Sequence, residues 1–293
     1  MIQALPLVAL LTVQLIFGFN FAASKVVLEH YPPTLWGAIR LLCSALLMFA
    51  LSPKFVPAGK RRMDRDFLKK TFIYGLFGMA LSQFFFMFGI KNTTTTNAAI
   101  MNTLTPLFTL LIAMVMGVER LTLRRFAGFA LAITGAVVIR DLSEFRLSSA
   151  TFLGDFATIL NCLSLAIYFT LSQRFLKENS TFWATGWMFL FGAIVLFAMA
   201  WRDAGGLFMP GLDGRFYIAA FYSIFLATLV TYFLNAWTLT QVSPSIVAMF
   251  FYFQPVVAVF NGWFSLGENP TVRTFAAMGL IFAGLGLGVS RKK

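Results

Sequence analysis

Apolar residues in this 293-residue chain come in runs of bilayer-spanning length, and that alone narrows what the chain can fold into. About 17 to 25 apolar residues are needed to cross roughly 30 Å of hydrocarbon as a helix. Ten runs qualify, at 5–25, 33–51, 68–90, 97–117, 123–140, 152–174, 182–201, 215–239, 244–266 and 272–290. The gaps between them hold residues that resist helix continuation, among them Pro32-Pro33, Pro53 to Pro57, Gly205-Gly206 with Pro210, and Pro270. Thr122 and Thr271 stand just ahead of the fifth and tenth runs, where a hydroxyl can cap an orphan backbone N–H. With 59% hydrophobic and 12% charged residues and a mean hydropathy of +0.81, the composition excludes a soluble globular domain. The expected fold class is an all-α membrane protein with ten transmembrane helices.

A second pattern lies over the first. At an offset of 149 residues, 99–135 aligns with 248–284 without a gap, and nine of the 37 pairs are identical. They include Pro106/Pro255, Glu119/Glu268, Thr122/Thr271, Arg124/Arg273 and Gly135/Gly284, punctuation that shared greasiness does not produce. The same offset sets Lys25 against Arg174, which extends the duplication over the whole chain. Two five-helix units are therefore expected, 1–146 and 147–293. Five is odd, so the second unit enters the bilayer from the opposite face, the inverted repeat of many secondary transporters.

The net charge of +12 is a topology signal rather than a nucleic-acid surface, because the Lys and Arg sit in short gaps between apolar runs. With the amino terminus inside, fifteen basic residues fall on the inner side, most of them between Lys54 and Lys70 and at Arg291 to Lys293, against seven outside. Both termini are expected in the cytoplasm of a multi-pass inner-membrane protein. Cys43 and Cys162 lie inside apolar runs and read as buried, reduced packing residues. The first run has no basic n-region and no small-residue cleavage site, so it is not a signal peptide.

The fourth run carries Asn97-Ala98-Ala99 and Leu104-Thr105-Pro106-Leu107-Phe108, followed by Gly117-Val118-Glu119-Arg120-Leu121-Thr122, Gly128 and Ile133-Thr134-Gly135-Ala136. A degraded second copy reads Gln254-Pro255, Gly267-Glu268-Asn269-Pro270-Thr271, Gly279 and Ala283-Gly284. In these motifs, and over its full length, the chain resembles the EamA-like transporters of the drug/metabolite transporter superfamily. The resemblance implies a basket of ten helices around a cavity framed by the first, third, fourth, sixth, eighth and ninth, with the fifth and tenth peripheral. It also implies export or exchange of small metabolites, amino acids foremost.

Polar side chains inside a bilayer face the bundle interior, so stripes of them mark a cavity or a helix contact. The eighth run aligns Thr228, Thr231, Tyr232 and Asn235 on one helical face, and the sixth aligns Asn161, Ser164, Tyr168 and Ser172. With Asn102 in the fourth run, Tyr252 and Gln254 in the ninth, Gln14 in the first and Gln83 in the third, these supply the candidate substrate-binding set: Asn102, Asn161, Tyr168, Thr231, Tyr232, Asn235, Tyr252, Gln254, Gln83 and Gln14. Pro106 and Pro255, at one repeat position, free a carbonyl and are candidate hinges for alternating access. Arg40 lies about 10 Å into the second helix by helical rise, where it is expected to snorkel to the headgroups; the alternative is that it faces the cavity and attracts a substrate carboxylate. Asp155 reads as an interfacial residue at a helix start, His30 as a solvated loop residue, and Trp36, Trp183 and Trp187 as interfacial belt residues. Gly128 with Ala132 and Gly284 with Gly288 are small-residue pairs suited to tight helix packing.

There is no P-loop, so no ATP motor is expected in the chain, and neither cofactor nor metal is called for. Eleven acids and one histidine, scattered, do not form the cluster a membrane enzyme gathers at one face, so the chain is read as no enzyme. The expected partners are a small-molecule substrate and the lipid bilayer, with no nucleic acid and no obligate protein partner. An uncoupled permease or channel is the alternative that saturable exchange would separate.

Overall fold

The computed structural model describes residues 4–93, 98, 101–120, 122–138, 151–206, 212–257, 259–260 and 271–289. The junction between the two expected halves, Asn97 and Ala99, the Gly267–Pro270 motif segment and the carboxy-terminal basic tail lie outside these residues. Among the described residues the chain is helical and contains no strand. The helices are α1 (Ala4–Leu28), α2 (Pro33–Phe55), α3 (Arg65–Asn92), α4 (Leu104–Val115), α5 (Leu123–Val138), α6 (Phe152–Glu178), α7 (Thr181–Met199), α8 (Gly214–Gln241), α9 (Pro244–Val257) and α10 (Val272–Val289). Six of them, α1, α2, α3, α6, α7 and α8, are long and apolar enough to cross a membrane, while α4, α9 and α10 are shorter apolar helices.

Local chemistry sets the boundaries. α2 starts on Pro33, whose missing N–H costs nothing in the first turn, and runs through Pro53 to Phe55, past the break expected at that proline. α3 is capped by Asp64, whose Oδ1 accepts the Phe67 N–H at 3.0 Å. That bond, helped by Arg62, holds the Asp64 carboxyl below the usual carboxylate range. α8 is capped in the same way, with Asp213 Oδ1 accepting the Phe216 N–H at 2.9 Å. Asp64 and Asp213 are separated by the repeat offset, and so are Phe67 and Phe216. The threonine caps also form: Thr122 Oγ1 accepts from the Arg125 N–H and Thr271 Oγ1 from the Thr274 N–H, both at 3.3 Å.

The packing respects the duplication. Equivalent helices of the two halves lie against each other, α2 on α7 and α5 on α10. Three further sets of contacts exchange when the halves are exchanged: α3 with α6 and α8 with α1, α3 with α7 and α8 with α2, α4 with α6 and α9 with α1. This is the contact pattern of a pseudo-two-fold axis. α5 and α10 approach through their small residues: a Cβ on Gly284 would stand 2.6 Å from the Ala132 nitrogen and from the Gly128 carbonyl oxygen. Both helices present large apolar side chains outward, Leu123, Phe126, Phe275 and Phe282 among them.

Several expected surface residues are interior ones. Arg40 is 1% exposed and does not snorkel, because bond acceptors on α8 hold its head inside. Trp36 is buried rather than in a belt, its Nε1–H donating to Ser223 Oγ at 3.2 Å and its ring packed on Tyr31 and Phe216. His30 is half-buried, edge-on to Phe216, because α8 begins beside the α1–α2 turn. Cys43 is only partly buried, whereas Cys162 is fully so; both thiols are free.

Replacing Gly284 with leucine forces α5 and α10 apart. Thermal unfolding in detergent is expected to show a loss of about 1–3 kcal/mol, the usual scale of overpacking. Gly286→Leu, at a position with open space around it, is expected to leave the midpoint unchanged.

Candidate functional site

A spanning helix needs every carbonyl satisfied within the protein, so interruptions reveal where the interior is polar. Both α3 and α8 are interrupted by π-helical segments, Leu76–Leu81 and Tyr222–Val230, which end at equivalent positions. Each is closed by a hydroxyl that reaches back four residues: Ser82 Oγ donates to the Gly78 carbonyl at 2.5 Å and Thr231 Oγ1 to the Ala227 carbonyl at 2.9 Å. Neighbouring helices complete the repair. Ser164 on α6 donates to the Phe77 carbonyl at 3.1 Å, and Ser44 on α2 to the Ile224 carbonyl at 3.4 Å. Arg40 does most, its Nε–H donating to Thr228 Oγ1 at 2.6 Å and Nη2 to the Ala227 carbonyl at 3.2 Å. Trp36, Arg40 and Ser44 recur every four residues, so one face of α2 grips the altered turns of α8.

Three pairs among the expected site residues are in contact. Gln83 Nε2 donates to the Tyr232 hydroxyl at 2.6 Å, and these residues are 149 positions apart, the repeat offset itself. Two equivalent side chains can touch only next to the axis that relates them, so this bond lies beside that axis. Gln254 Nε2 donates to Gln14 Oε1 at 3.0 Å, joining α9 to α1. Asn161 Nδ2 donates to Asn102 Oδ1 at 3.4 Å. Aromatic rings link the groups: Phe17 stands 6.4 Å from Tyr232 and 6.1 Å from Phe251, Phe251 stands 6.1 Å from Phe169, and Phe169 stands 5.6 Å from Tyr168. Gly78 lets the Tyr168 ring lie directly on the π segment of α3, at a distance that leaves no room for a Cβ.

Other expected members stand apart. Thr231 spends its hydroxyl on its own helix, and Tyr252 turns toward α5, with its ring 6.4 Å from Phe129. Asn235 is buried on α8 with Oδ1 unpartnered. Pro106 sits in the first turn of α4, after a break at Thr103, and Pro255 lies two residues past a 3₁₀ segment, Phe250–Phe253. Both helices are thus interrupted at the same repeat position just ahead of the proline. Asp155 is buried at the start of α6, accepting from Thr93 Oγ1 at 2.5 Å. No group of three His, Cys, Asp or Glu side chains among the described residues could hold a metal ion.

Glu119 was visible in the sequence as an identity between the copies and as part of the Gly117–Thr122 motif, with no role attached. In the structure it is buried and caps the start of α9: Oε1 accepts the Ser245 N–H at 2.9 Å, Oε2 accepts from Ser245 Oγ, and Arg125 Nη1 pairs with Oε2 at 2.9 Å. A carboxylate at a helix N-terminus meets unpaired N–H groups and the positive end of the dipole.

A bundle of long apolar helices with polar pairs buried between them defines a polytopic membrane protein. The model of the EamA-like transporter family matches it twice, over residues 4–140 and 152–289, and the chain belongs to that family, within the drug/metabolite transporter superfamily. Among its relatives is the uncharacterized transporter YoaV of Bacillus subtilis, 23% identical over 95% of this chain and 94% of its own. An uncharacterized transporter of Archaeoglobus fulgidus is 26% identical over 94% of this chain and 95% of its own. The uncharacterized inner membrane transporter YedA of Escherichia coli is 22% identical over 95% of this chain and 89% of its own. A solved crystal structure shares the fold with a TM-score of 0.79 over 98% of this chain and 97% of that one, at 18% identity.

Removing the Glu119 carboxylate strands the Ser245 N–H and the Arg125 guanidinium. Glu119→Ala is expected to lower stability by about 1–3 kcal/mol, the cost of unsatisfied buried polar groups, and Arg125→Ala by less, since that side chain is 29% exposed. Thermal melts in detergent check the order.

Proposed function

We propose that the protein is a secondary transporter of the inner membrane that exports or exchanges small metabolites, amino acids or related compounds foremost, by alternating access. The reading takes α1 to α10 as ten spans in two inverted units, 1–146 and 147–293, with both termini in the cytoplasm. Cargo is held between the units by Gln14, Gln83, Asn102, Asn161, Tyr168, Tyr232, Asn235 and Gln254, with Thr231 and Tyr252 as outlying members. Pro106 and Pro255 are the hinges. Inner-membrane residence draws on the name of the Escherichia coli relative and on the excess of Lys and Arg in the inner loops.

The observation that carries the reading is the Gln83–Tyr232 bond between equivalent positions of the two copies. A polar contact on the axis is shared by both halves, so rocking one half against the other opens it toward either side in turn. The site is mostly aromatic with a few amide and hydroxyl groups, which suits a small solute with an apolar part. No buried carboxylate among the described residues lies at this centre, since Glu119 and Asp155 are engaged at helix ends. Cargo exchange needs no such relay.

Counterflow in proteoliposomes with labelled amino acids and nucleosides tests the function. Saturable exchange, accelerated by unlabelled cargo inside, is expected. Gln83→Ala and Asn161→Ala are expected to slow it about tenfold, the effect of leaving a buried polar group without its partner. Linear, unsaturable flux would point to a channel, and a folded protein without flux would overturn transport.

Cysteine labelling tests the topology separately. Single cysteines between 54 and 62 are expected to react only after the membrane is permeabilised, and one at position 203 with an impermeant reagent from outside. The reverse pattern would invert the proposed orientation.

A further inference from the structure

Arg40 is the one basic side chain among the described residues that is buried and within the apolar length of a helix. A guanidinium carries five N–H donors and stays charged, so burying it calls for a counter-charge. Two groups are spent on Thr228 Oγ1 and the Ala227 carbonyl, both neutral. Nη1 has no hydrogen-bond partner. The ion pairs among the described residues all lie elsewhere, and the two buried acids are held by Ser245, Arg125 and Thr93.

The position of that free donor matters more than its existence. Thr228 is one turn before Tyr232 on α8, and Gly37, one turn before Arg40 on α2, lies between Leu196 and Gln83, a Cβ there standing at van der Waals distance, 4.0 Å, from Gln83 Cβ. The guanidinium therefore borders the Gln83–Tyr232 pair on the pseudo-two-fold axis. Gln83 Oε1 is likewise buried and unpartnered, and so is Asn235 Oδ1 one turn further along α8. A lone cationic donor and two open carbonyl-type acceptors are the complement of a solute bearing a carboxylate and an ammonium group.

The duplicated half shows that scaffolding does not require the charge. The position equivalent to Arg40 is Phe189, whose ring packs edge-on to Tyr232 at 5.8 Å, and the π segment of α3 is sealed without any arginine.

We propose that Arg40 is the specificity-determining residue that reads the carboxylate of the cargo, with Gln83 Oε1 and Asn235 Oδ1 taking up its ammonium group. This rests on the transport reading above and assigns to one side chain the choice of zwitterionic carboxylic acids over their amides or amines. In the conformation described the arginine is sealed from water, so cargo reaches it when α8 shifts at its π segment.

The test is counterflow in proteoliposomes of the full chain with leucine, leucinamide, isoamylamine and a nucleoside. Wild type is expected to carry leucine at least tenfold faster than leucinamide or the amine. Arg40→Gln is expected to bring leucine down to the amide rate, while Arg40→Lys, which keeps the charge, recovers part of the difference. A purely structural arginine would lower all rates together and leave the ratio of acid to amide unchanged, which would overturn the proposal. So would a wild-type protein that carries leucinamide as well as leucine, or only the nucleoside. If Arg40→Gln does not fold, Arg40→Lys decides: a lowered ratio of acid to amide is expected, and a ratio equal to that of wild type would overturn the proposal. Wild type that carries nothing removes the transport reading itself, a failure distinct from carriage without regard to the carboxylate.

Discussion

A backbone carbonyl released in the middle of a bilayer has no water to bond with, and that constraint shapes the interior of this protein. Its helices deviate from α geometry where neighbouring side chains can repair the break. On α3 the repair is made by Ser82 and Ser164, on α8 by Thr231, Ser44 and Arg40. The polar residues of the core thus serve two purposes at once. They keep the irregular turns satisfied, and they place hydrogen-bonding groups where no lipid reaches.

Symmetry and its violation divide the labour. The duplicated scaffold pairs α2 with α7 and α5 with α10, and sets Gln83 against Tyr232 on the axis. Chemistry, however, differs between the copies: Arg40 is matched by Phe189, Asn102 by Phe251 and Gln83 by Tyr232. An exactly symmetric interior would present the same group twice. A single asymmetric solute is better met by a cation on one side and a ring on the other. Glu119 adds another cross-link, holding the start of α9 to the end of α4 through hydrogen bonds that would be lost if those helix ends separated.

Much of the fold was legible because its signals are local. Apolar length gave an all-helical chain, of which six helices are long enough to span, and capping hydroxyls gave two helix starts, with Thr122 and Thr271 bonded as expected. The small-residue pairs on α5 and α10 meet as their spacing suggested. The repeat could have been traced further: Asp64 with Phe67 and Asp213 with Phe216 are the same cap at the same offset, outside the stretch that aligned most clearly. The site was legible as a list of polar residues on interior faces. It was not legible as pairs, since a stripe on one helix says nothing of which stripe it meets.

Arg40 and Trp36 show why. Hydropathy and depth place both near a membrane surface, where snorkelling and interfacial anchoring are the cheaper options for an isolated helix. Only the docking of α2 against the π segment of α8 supplies the acceptors that make burial favourable. By itself, then, the sequence determined an all-helical membrane chain, because hydrophobic length is a property of the chain alone. Which polar groups face one another, and which charge is left without a partner at the centre, was decided by the tertiary structure, because a buried donor is satisfied or stranded by residues far away in sequence.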